Sequence, residues 1–533
     1  MRTAEMDAHF EWAETGVVPP EDKSYEFIDF FFLNVTDYSG PSPKNKIRYS
    51  HFADYADMKY HPVMFNRVLY LYDAESGLYF EGGEFLSSFM QHLLSLFAGE
   101  SVNERFLLLL PSLKISHEAD EICRQTASLH VVCGKKSPFN QFRGVPVKNG
   151  VVVFDEEGRP SLVPYSPEML FTRKIPVEFH ADADASAALS LLRSWAGDSC
   201  GVLVQIAAQA FLQGFPDVAP FKLGYMFYGC RNSGKSACLE FLEGVFGHEF
   251  VSHIPLHQLS ERFNESCLDG KFLNAGDDLS CEFLPDTGAF KRLSGKAWHD
   301  TEPKGRARYQ VRLSAVYVFS CNRLPRVSRD AAADDAFWDR WAVVPFSGCF
   351  EKDGTWFSSV GREVYEGYLR LAVEMMSAVF RNEGGLLFSP GADEARRVWM
   401  EANSPVACFL SRFTDRNPDG FISKGELLSA IVPWGEAHAG EFSERVPSNL
   451  IELSRVLSRL GVSADYRKRN QVRFAVYRGI SWKKGVSFPE AGMIVMEGVQ
   501  MSRKLVCSLL YAFRYRYLPV TLSLLAFYIL LYL

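Results

Sequence analysis

The sequence predicts an α/β core of the P-loop NTPase type, preceded by an α+β accessory domain and followed by a C-terminal winged-helix domain. Three observations predict this fold class: a glycine-rich loop between a strand and a helix, buried strand-like runs that end in polar residues, and an amphipathic helix followed by a basic hairpin. With 533 residues, the chain is too long for one compact domain.

Composition and charge narrow the function classes. Hydrophobic residues make up 47% and charged residues 23%, as in ordinary globular proteins. The net charge of −7 excludes a global basic field, so any nucleic-acid contact must come from local basic patches. The 11 cysteines form no CxxC pair and no cluster at zinc spacing, which favours reduced thiols in a cytoplasmic compartment. The first residues are polar and lack an apolar signal core, so we expect no secretion.

Changes in pattern along the chain predict six segments. The N-terminal accessory domain includes a hairpin-like run at Val145–Pro160, and the core begins with helical stretches before the glycine-rich loop. The segments are an unassigned stretch at 1–55, the accessory domain at 56–184, the core at 185–350, a helical linker at 351–404, a winged-helix-like domain at 405–486 and a tail at 487–533.

The tail ends in an uncharged apolar run from Leu518 to Leu533, which includes Pro519. About twenty apolar residues are needed to span a bilayer, so this run is slightly short. Three interpretations stay open: a membrane anchor, a buried helix, and a translated extension unrelated to the fold.

The segment GCRNSGKS matches the phosphate-binding pattern GxxxxGK[ST] without a mismatch. Its glycines let backbone N–H groups surround phosphates, and the following helix directs its positive end at them. Lys235 is expected to reach the β- and γ-phosphates of a nucleoside triphosphate, and the Ser236 hydroxyl to hold Mg²⁺. The predicted nucleotide-binding residues are Gly229, Cys230, Arg231, Asn232, Ser233, Gly234, Lys235 and Ser236.

Polar residues end two later strand-like runs. GKFLNAGDD ends in Asp277 and Asp278, where one carboxylate can complete the Mg²⁺ shell and its neighbour can polarise the attacking water. SAVYVFSCN ends in Asn322, whose amide can detect the γ-phosphate. Seen alone, the acidic pair could be a solvent-facing strand end and the asparagine a turn cap. The predicted metal ligands are Ser236 and Asp277.

The segment FWDRWAVVPF places Arg340 among apolar residues that would fix it at a surface. An arginine finger acting on a neighbouring subunit needs such a position. The alternatives are an ordinary ion-paired arginine, or Arg329 as the finger. The predicted catalytic residues are Lys235, Asp277, Asp278, Asn322 and Arg340.

Together these blocks resemble a superfamily 3 helicase, in particular the poxvirus-type and phage/plasmid primase–helicase family. RFNESCLDGKFLNAGDDL, FKRLSGKAWHDTEPKGRARYQ and FSCNRLPR are similar to successive blocks of that family, and the resemblance covers roughly residues 55–486. It implies an AAA+-like homo-hexameric ring that uses ATP and Mg²⁺. Such a ring translocates 3′ to 5′ on single-stranded DNA and unwinds forked DNA during replication, in the host cytoplasm if the chain is virus- or plasmid-encoded.

The sequence departs from this family at two places. Leu293-Ser294-Gly295 is followed by Lys296-Ala297, where the family has Gly-Asp. Only about 55 residues precede the helicase-associated region, too few for the primase domain that the family carries. We therefore expect no priming activity, and a separate primase or replication initiator as a partner.

Two basic segments are the predicted DNA contacts. In the family, the stretch KRLSGKAWHDTEPKGRAR leads into a hairpin whose basic tip faces the central channel, and Lys304 matches the family's lysine. Near the C-terminal end, a helix and a basic hairpin suit a winged helix on duplex DNA. A solvated charged surface and a protein dock are the respective alternatives. The predicted DNA-binding residues are Lys296, Lys304, Arg306, Arg467, Lys468 and Arg469.

One motif points elsewhere. Asp415–Glu426 matches the calcium-loop pattern D-x-[DN]-x-[DN]-G-x₅-E in full, but Pro418 lies inside it and no second copy accompanies it, so a polar turn is the favoured interpretation. Two other functions also stay open: a DNA-binding replication initiator that uses ATP only as a switch, and a P-loop kinase. A kinase should be indifferent to single-stranded DNA.

Overall fold

The computed structural model describes residues 32–35, 44–47, 49–99, 115–279, 288–325, 327, 334–351, 360–381, 392–438, 442, 444–469, 472–487, 495–496 and 499–500. Within these residues no helix is both long and apolar enough to cross a membrane. The apolar run at Leu518–Leu533 lies outside them, and so does Arg329.

The first part of the chain is α+β. The helix that starts at Tyr49 crosses the segment boundary expected at residue 55. In chain order the elements are β1 (Phe32–Val35), β2 (Lys44–Ile47), α1 (Tyr49–Tyr60), β3 (Val63–Phe65), β4 (Val68–Asp73), β5 (Leu78–Glu81), α2 (Gly83–Gly99) and α3 (Ile115–Leu129).

The described residues 49–99 and 115–139, which we call the N-terminal unit, have a hydrophobic core of their own. The strands β3, β4 and β5 form an antiparallel sheet, and α1 and α2 both pack against α3. Phe52, Leu71 and Ile122 are fully buried where helices and sheet meet. The amphipathic helices thus cover one face of a small sheet.

The predicted hairpin at Val145–Pro160 is confirmed and belongs to a three-stranded antiparallel sheet: β6 (Val145–Val147), β7 (Gly150–Phe154) and β8 (Pro160–Val163). Val145 and Val152 share one buried apolar cluster with Leu203 and Tyr225 of the following domain. The hydrophobic core therefore does not divide at residue 185, where the sequence pattern suggested a domain boundary.

A five-stranded parallel sheet forms the centre of the molecule, in the order β10-β11-β14-β9-β15. The elements of this part are α4 (Ser186–Ala196), α5 (Cys200–Leu212), β9 (Gly224–Gly229), α6 (Lys235–Phe246), β10 (Val251–Ser252), β11 (Leu273–Gly276), α7 (Gly288–Gly295), β12 (Trp298–Thr301), β13 (Tyr309–Arg312), β14 (Val316–Cys321), α8 (Asp335–Trp338) and β15 (Trp341–Phe346).

This sheet is a P-loop-like α/β core. All six residues of β14 are buried, as a continuous apolar strand of a covered parallel sheet should be. Because β14 lies between β9 and β11, the carboxyl ends of these three strands are adjacent. Ligand sites of open parallel sheets lie at this edge.

The segment predicted as a helical linker packs on this core. It contains α9 (Arg362–Arg381) and α10 (Ala392–Asn403). Helix α9 lies against α4 and α5, and its buried Tyr368 hydroxyl donates to the Leu203 carbonyl at 2.7 Å. On α10, Trp399 stacks edge-on against Trp338 and donates its indole N–H to the Pro325 carbonyl at 2.9 Å. Both helices are therefore structural parts of the core.

Between β11 and β14 the chain forms a hairpin from β12 and β13, which we call the core hairpin (298–312). Its tip is residues 302–308, in which Gly305 adopts φ of +78°. Leu313 donates its N–H to the Ala297 carbonyl at 3.2 Å, which closes the base of the hairpin. The basic segment of the sequence is thus presented on a projecting ribbon.

Residues 405–487, the C-terminal unit, contain helices followed by a hairpin, as the sequence predicts. The elements are α11 (Pro405–Phe413), β16 (Thr414–Ser423), α12 (Lys424–Ala437), α13 (Leu450–Arg459), β17 (Ser463–Arg469) and β18 (Val472–Trp482). Strand β18 lies between β16 and β17 in an antiparallel sheet. Three further two-residue strands follow, at Val486–Ser487, Val495–Met496 and Val499–Gln500.

The calcium-loop motif lies in β16 and the first turn of α12. Asp415 pairs with Ser481 of β18, and the register shifts between Arg416 and Phe421. An Asx turn, in which the Asp419 N–H donates to the Asn417 side chain, fills the shift. The motif is thus an irregular strand with a polar turn inside it.

Candidate functional site

The glycine-rich loop connects the carboxyl end of β9 to α6 and depends on glycine at two positions. A Cβ on Gly229 would collide with the Phe346 carbonyl oxygen of β15. Gly234 has φ of +91°, and a Cβ there would lie 2.5 Å from the Trp195 ring. Asn232 is also left-handed, with φ of 61°. Left-handed residues in such a loop turn successive N–H groups toward one concavity, which suits an anion.

Helix α6 begins at Lys235 and presents its N-terminus to this concavity. No side chain caps its first turn, so the N–H groups that a helix leaves unpaired face the loop. The helix is 12 residues long, and its dipole places partial positive charge at this end. Ser236, in the first turn, is exposed. A phosphate is the ligand that such an arrangement favours.

The Lys235 side chain lies inside the loop. Its ammonium group donates to the carbonyl oxygens of Gly229 and Cys230 at 3.0 and 2.8 Å, and to the Asn322 side-chain oxygen at 3.0 Å. Burial lowers the pKa of Lys235, and the nearby Asp277 and Asp278 carboxylates oppose this effect. A buried cation whose partners are mostly carbonyl oxygens is well placed to exchange them for phosphate oxygens.

The acidic pair and the asparagine converge on the same point. Asn322, directly after β14, donates its amide to the Asp278 carboxylate at 3.3 Å. Ser320 donates its hydroxyl to Asp277 and accepts the Asp278 N–H at 3.1 Å. Both aspartates are exposed at the carboxyl end of β11. The predicted residues that follow β11 and β14 thus form one hydrogen-bonded group with Lys235 at the start of α6.

Three side chains with oxygen ligands at this edge fit a divalent cation. Asp277 and Asp278 provide carboxylates, and Ser236 provides an exposed hydroxyl at the start of α6. Hard oxygen ligands of this kind, completed by phosphate oxygens and water, are what Mg²⁺ prefers. A second cluster that could chelate a metal, Glu178, His180 and Glu366, also forms ion pairs with Lys148 and Arg362, so local cations already balance its charge.

Arg340 lies at the amino ends of the strands, opposite the end that carries the loop. Its carbonyl accepts the N–H of Gly224 at 2.8 Å, at the amino end of β9. The loop begins at the other end of that strand, about 16 Å away at 3.3 Å per residue. The guanidinium is half-buried and donates to the Ala336 carbonyl and, at 3.2 Å, to the Ser294 hydroxyl. Arg340 therefore does not reach the loop of its own chain.

The predicted DNA contacts of the core lie on or beside the core hairpin. Lys304 and Arg306 are exposed at the tip, and Lys296 is exposed between α7 and β12. Arg306 forms a bidentate ion pair with Glu81 of the N-terminal unit, with both contacts at 2.7 Å. Arg308 pairs with Glu302 at 2.8 Å. Of the basic residues at the tip, only Lys304 has no carboxylate partner in the described part of the chain.

The predicted contacts of the C-terminal unit lie on β17. Arg467 and Lys468 are exposed, and the side chain of Arg469 falls outside the described part. The Arg467 guanidinium stacks over the Phe421 ring, with 5.1 Å to the centroid. Nearby, at the start of α13, the apolar Ile451 is 67% exposed.

Sequence reasoning missed three residues of the nucleotide site. Ser320 joins the acidic pair, and its spacing of two from Asn322 on one strand was the available signal, because alternate residues of a strand share a face. Trp195 and Phe350 flank Gly234, and the Phe350 N–H donates to the Asn232 carbonyl at 2.9 Å. These two come from α4 and from beyond β15, and no local pattern predicts their position.

The chain matches the model of a family of unknown function (DUF5906) over residues 227–340. No curated protein matches. Similar solved structures include the apo NrS-1 C-terminal region, with 12% identity, 79% of this chain and 94% of that chain covered, and a TM-score of 0.35. A second structure of that region has 11% identity, with 78% and 95% covered and a TM-score of 0.36. JCV helicase has 14% identity, with 43% and 64% covered and a TM-score of 0.23. At these values the likeness assigns neither a family nor an activity.

Proposed function

We propose that this protein is an ATP-driven DNA helicase of the superfamily 3 type, which works as a ring, hexameric in this proposal, on single-stranded DNA. The observation that carries the proposal is the group formed by Lys235, Asn322 and Asp278, in which the loop lysine contacts the asparagine and the asparagine contacts the acid. One nucleotide phosphate at this point would touch the start of α6 and the residues that follow β11 and β14. Binding and cleavage can therefore be transmitted to all three segments.

Each side chain has a role that its position allows. Lys235 exchanges the loop carbonyls for the β- and γ-phosphate oxygens. Asp278 lies beside Asn322 and orients the attacking water, and Asn322 holds the γ-phosphate while it remains bound. Mg²⁺, held by Ser236 and Asp277, would neutralise phosphate charge. Ser320 positions Asp277 by donating to its carboxylate.

Arg340 completes the site of a neighbouring subunit in this proposal. It lies at the amino ends of the strands, away from the loop of its own chain. Its guanidinium contacts Ser294 on α7. Helix α7 leads through Lys296 into the core hairpin. A subunit that senses the neighbour's γ-phosphate through Arg340 can therefore move its own hairpin, which would couple hydrolysis to translocation on DNA.

We also propose binding partners and a cellular compartment for the protein. The C-terminal unit has the element order of a winged helix, and its basic β17 would contact duplex DNA next to the fork. A separate primase or replication initiator would act with it in the cytoplasm. The adjacent Leu450 and Ile451 at the start of α13 are both exposed, and this apolar pair favours a protein contact by the same unit as a second role. A membrane contact through the C-terminal tail would be compatible with these roles.

The deciding experiment measures strand displacement on forked DNA and ATP hydrolysis with and without an oligothymidine strand. The intact protein should displace a strand only with ATP, and DNA should stimulate its ATPase. Lys235→Ala should abolish displacement and retain DNA binding. Hydrolysis indifferent to DNA in a monomeric protein would point to a kinase. ATP-dependent assembly on DNA without displacement would point to an initiator.

A further inference from the structure

The tip of the core hairpin is packed against the N-terminal unit. The Asn66 side chain donates to the Ala307 carbonyl at 3.0 Å, and Phe65 stacks edge-on against Tyr309 at 5.6 Å. Glu81 holds Arg306 in the bidentate ion pair. A DNA strand that reaches the hairpin tip therefore also meets the surface of the N-terminal unit.

A second segment of the N-terminal unit runs along β13. Gln310 donates its N–H to the Lys135 carbonyl at 2.7 Å and accepts the Ser137 N–H at 2.8 Å, which adds a short strand-like pairing to the edge of the hairpin. Lys135 and Lys136 are both exposed. Gln310 lies on β13 and Ala307 precedes it by three residues at the tip, so the two contact points lie at most about 11 Å from each other.

Arg67 occupies an unusual backbone position at this contact. Asn66 and Arg67 form the turn between β3 and β4, and both are left-handed, with φ of 49° and 65°. Tight hairpin turns with two left-handed residues prefer Asn-Gly, because glycine adopts this conformation without strain. Here an exposed arginine stands where glycine would be easier. Strained residues that persist tend to cluster at functional sites.

The charge of this surface is positive. Its carboxylates are already engaged: Glu81 with Arg306, Glu302 with Arg262 and Arg308, and Asp300 with the Gln310 amide. Arg67, Lys135 and Lys304 have no carboxylate partner within the described residues, and Lys136 lies over the Trp298 ring at 5.0 Å. These exposed cations therefore face solvent beside the core hairpin.

We infer that the N-terminal unit supplies a second contact for the phosphate backbone of single-stranded DNA, formed by Arg67, Lys135 and Lys136 beside the core hairpin. The inference rests on the proposed function and adds to it a binding surface outside the core. Phosphate contacts of this kind are independent of sequence and depend steeply on salt. They would keep the strand at the hairpin while the hairpin changes position.

The test measures binding of a fluorescent oligothymidine by anisotropy over a series of salt concentrations, with a non-hydrolysable ATP analogue present. Each lost phosphate contact should lower the slope of log affinity against log salt by about 0.7 for single strands. Lys135→Ala/Lys136→Ala should therefore lower the slope by about 1.4 and weaken binding about tenfold at low salt. The DNA concentration that gives half-maximal stimulation of the ATPase should rise.

Two further variants separate a DNA contact from a folding defect. Arg67→Gly should raise the melting temperature, because glycine relieves the turn, and should weaken DNA binding at the same time. Arg124→Ala/Arg159→Ala removes the same charge from arginines that pair with Glu121 and Asp155 away from the hairpin, and should bind like the parent.

The inference would be overturned if Lys135→Ala/Lys136→Ala and Arg67→Gly both bound the oligothymidine with the affinity and the salt slope of the parent protein. An intact protein that does not bind the oligothymidine would instead refute the proposed function, so the two failures can be told apart.

Discussion

The nucleotide site and the basic surfaces differ in how their residues are held. In the nucleotide site, side chains from the start of α6 and from the residues that follow β11 and β14 contact one another directly, and the carboxyl ends of adjacent parallel strands bring them together. On the basic surfaces, the cations lie on the core hairpin, the N-terminal unit and β17, and most are exposed. ATP hydrolysis at the nucleotide site should therefore depend on individual side-chain contacts. DNA binding by the basic surfaces should depend on their total charge.

Among the changes that act within one subunit, removal of Lys235 should give the largest loss. Lys235→Ala deletes the cation that the loop holds for the phosphates, so ATP hydrolysis should fall by about 10²- to 10³-fold. Steady-state ATPase with saturating DNA measures this. Lys148→Ala, which removes an exposed lysine paired with Glu178, is the matched control and should keep full activity. A Lys235→Ala loss no greater than that of the control would contradict a phosphate role.

Substitutions of Asn322 and Ser320 should separate a residue that contacts the phosphate from one that only positions the acidic pair. Asn322→Ala removes contacts to both Lys235 and Asp278, so kcat should fall about tenfold or more, since roughly 1.4 kcal/mol gives a factor of ten. Ser320→Ala should lower kcat less, because it only releases Asp277 and the Asp278 backbone. Equal losses, or losses in KM alone, would contradict this division.

Charge removal on β17 should affect duplex binding only. Arg467→Ala/Lys468→Ala removes two exposed cations, and the salt slope for duplex DNA should fall by about 1.8. ATPase stimulated by single-stranded DNA should stay at the parent level. Ile451→Ala is the control for the apolar contact. If only Ile451→Ala changed a binding property, the C-terminal unit would be a protein dock.

The smallest effect should come from Glu81. Glu81→Gln releases Arg306 from its ion pair, and an exposed pair is worth at most about 1 kcal/mol. Affinity for single-stranded DNA should therefore rise by no more than about fivefold. Glu84→Gln, a neighbouring exposed glutamate on α2, should leave the affinity unchanged. Weaker binding by Glu81→Gln would show that the ion pair holds the hairpin in its DNA-binding position.

The local parts of the fold and site could be predicted from the sequence. The loop, the acidic pair and the asparagine each follow a strand, and strand ends in a parallel sheet meet at one edge. The docking of the N-terminal unit on the core hairpin could not be predicted. It depends on contacts such as Asn66–Ala307 and Glu81–Arg306, between residues far apart in the chain. Such contacts leave no periodic pattern in either segment.

Contacts between distant parts of the chain also explain why the apolar clusters cross the domain boundaries that the sequence predicts. The sheet β6–β8 and helix α9 look separate in sequence, yet they share apolar clusters with α5 and β9. Burial of apolar surface joins segments regardless of their order, and composition alone does not reveal the partner of an apolar face.

The central claim is that a nucleotide held by Gly229–Ser236 of one subunit is cleaved with Arg340 of the next. Arg340→Ala and Lys235→Ala should each be nearly inactive, with about 10³-fold or greater loss expected for a missing finger. The direct measurement is DNA-stimulated ATPase of the two variants mixed at varying ratios. Recovery of activity that peaks near equal amounts is the predicted result, because some interfaces then pair an intact loop with an intact Arg340. Activity that stays at the level of the separate variants, in mixtures shown to assemble, would contradict the shared site.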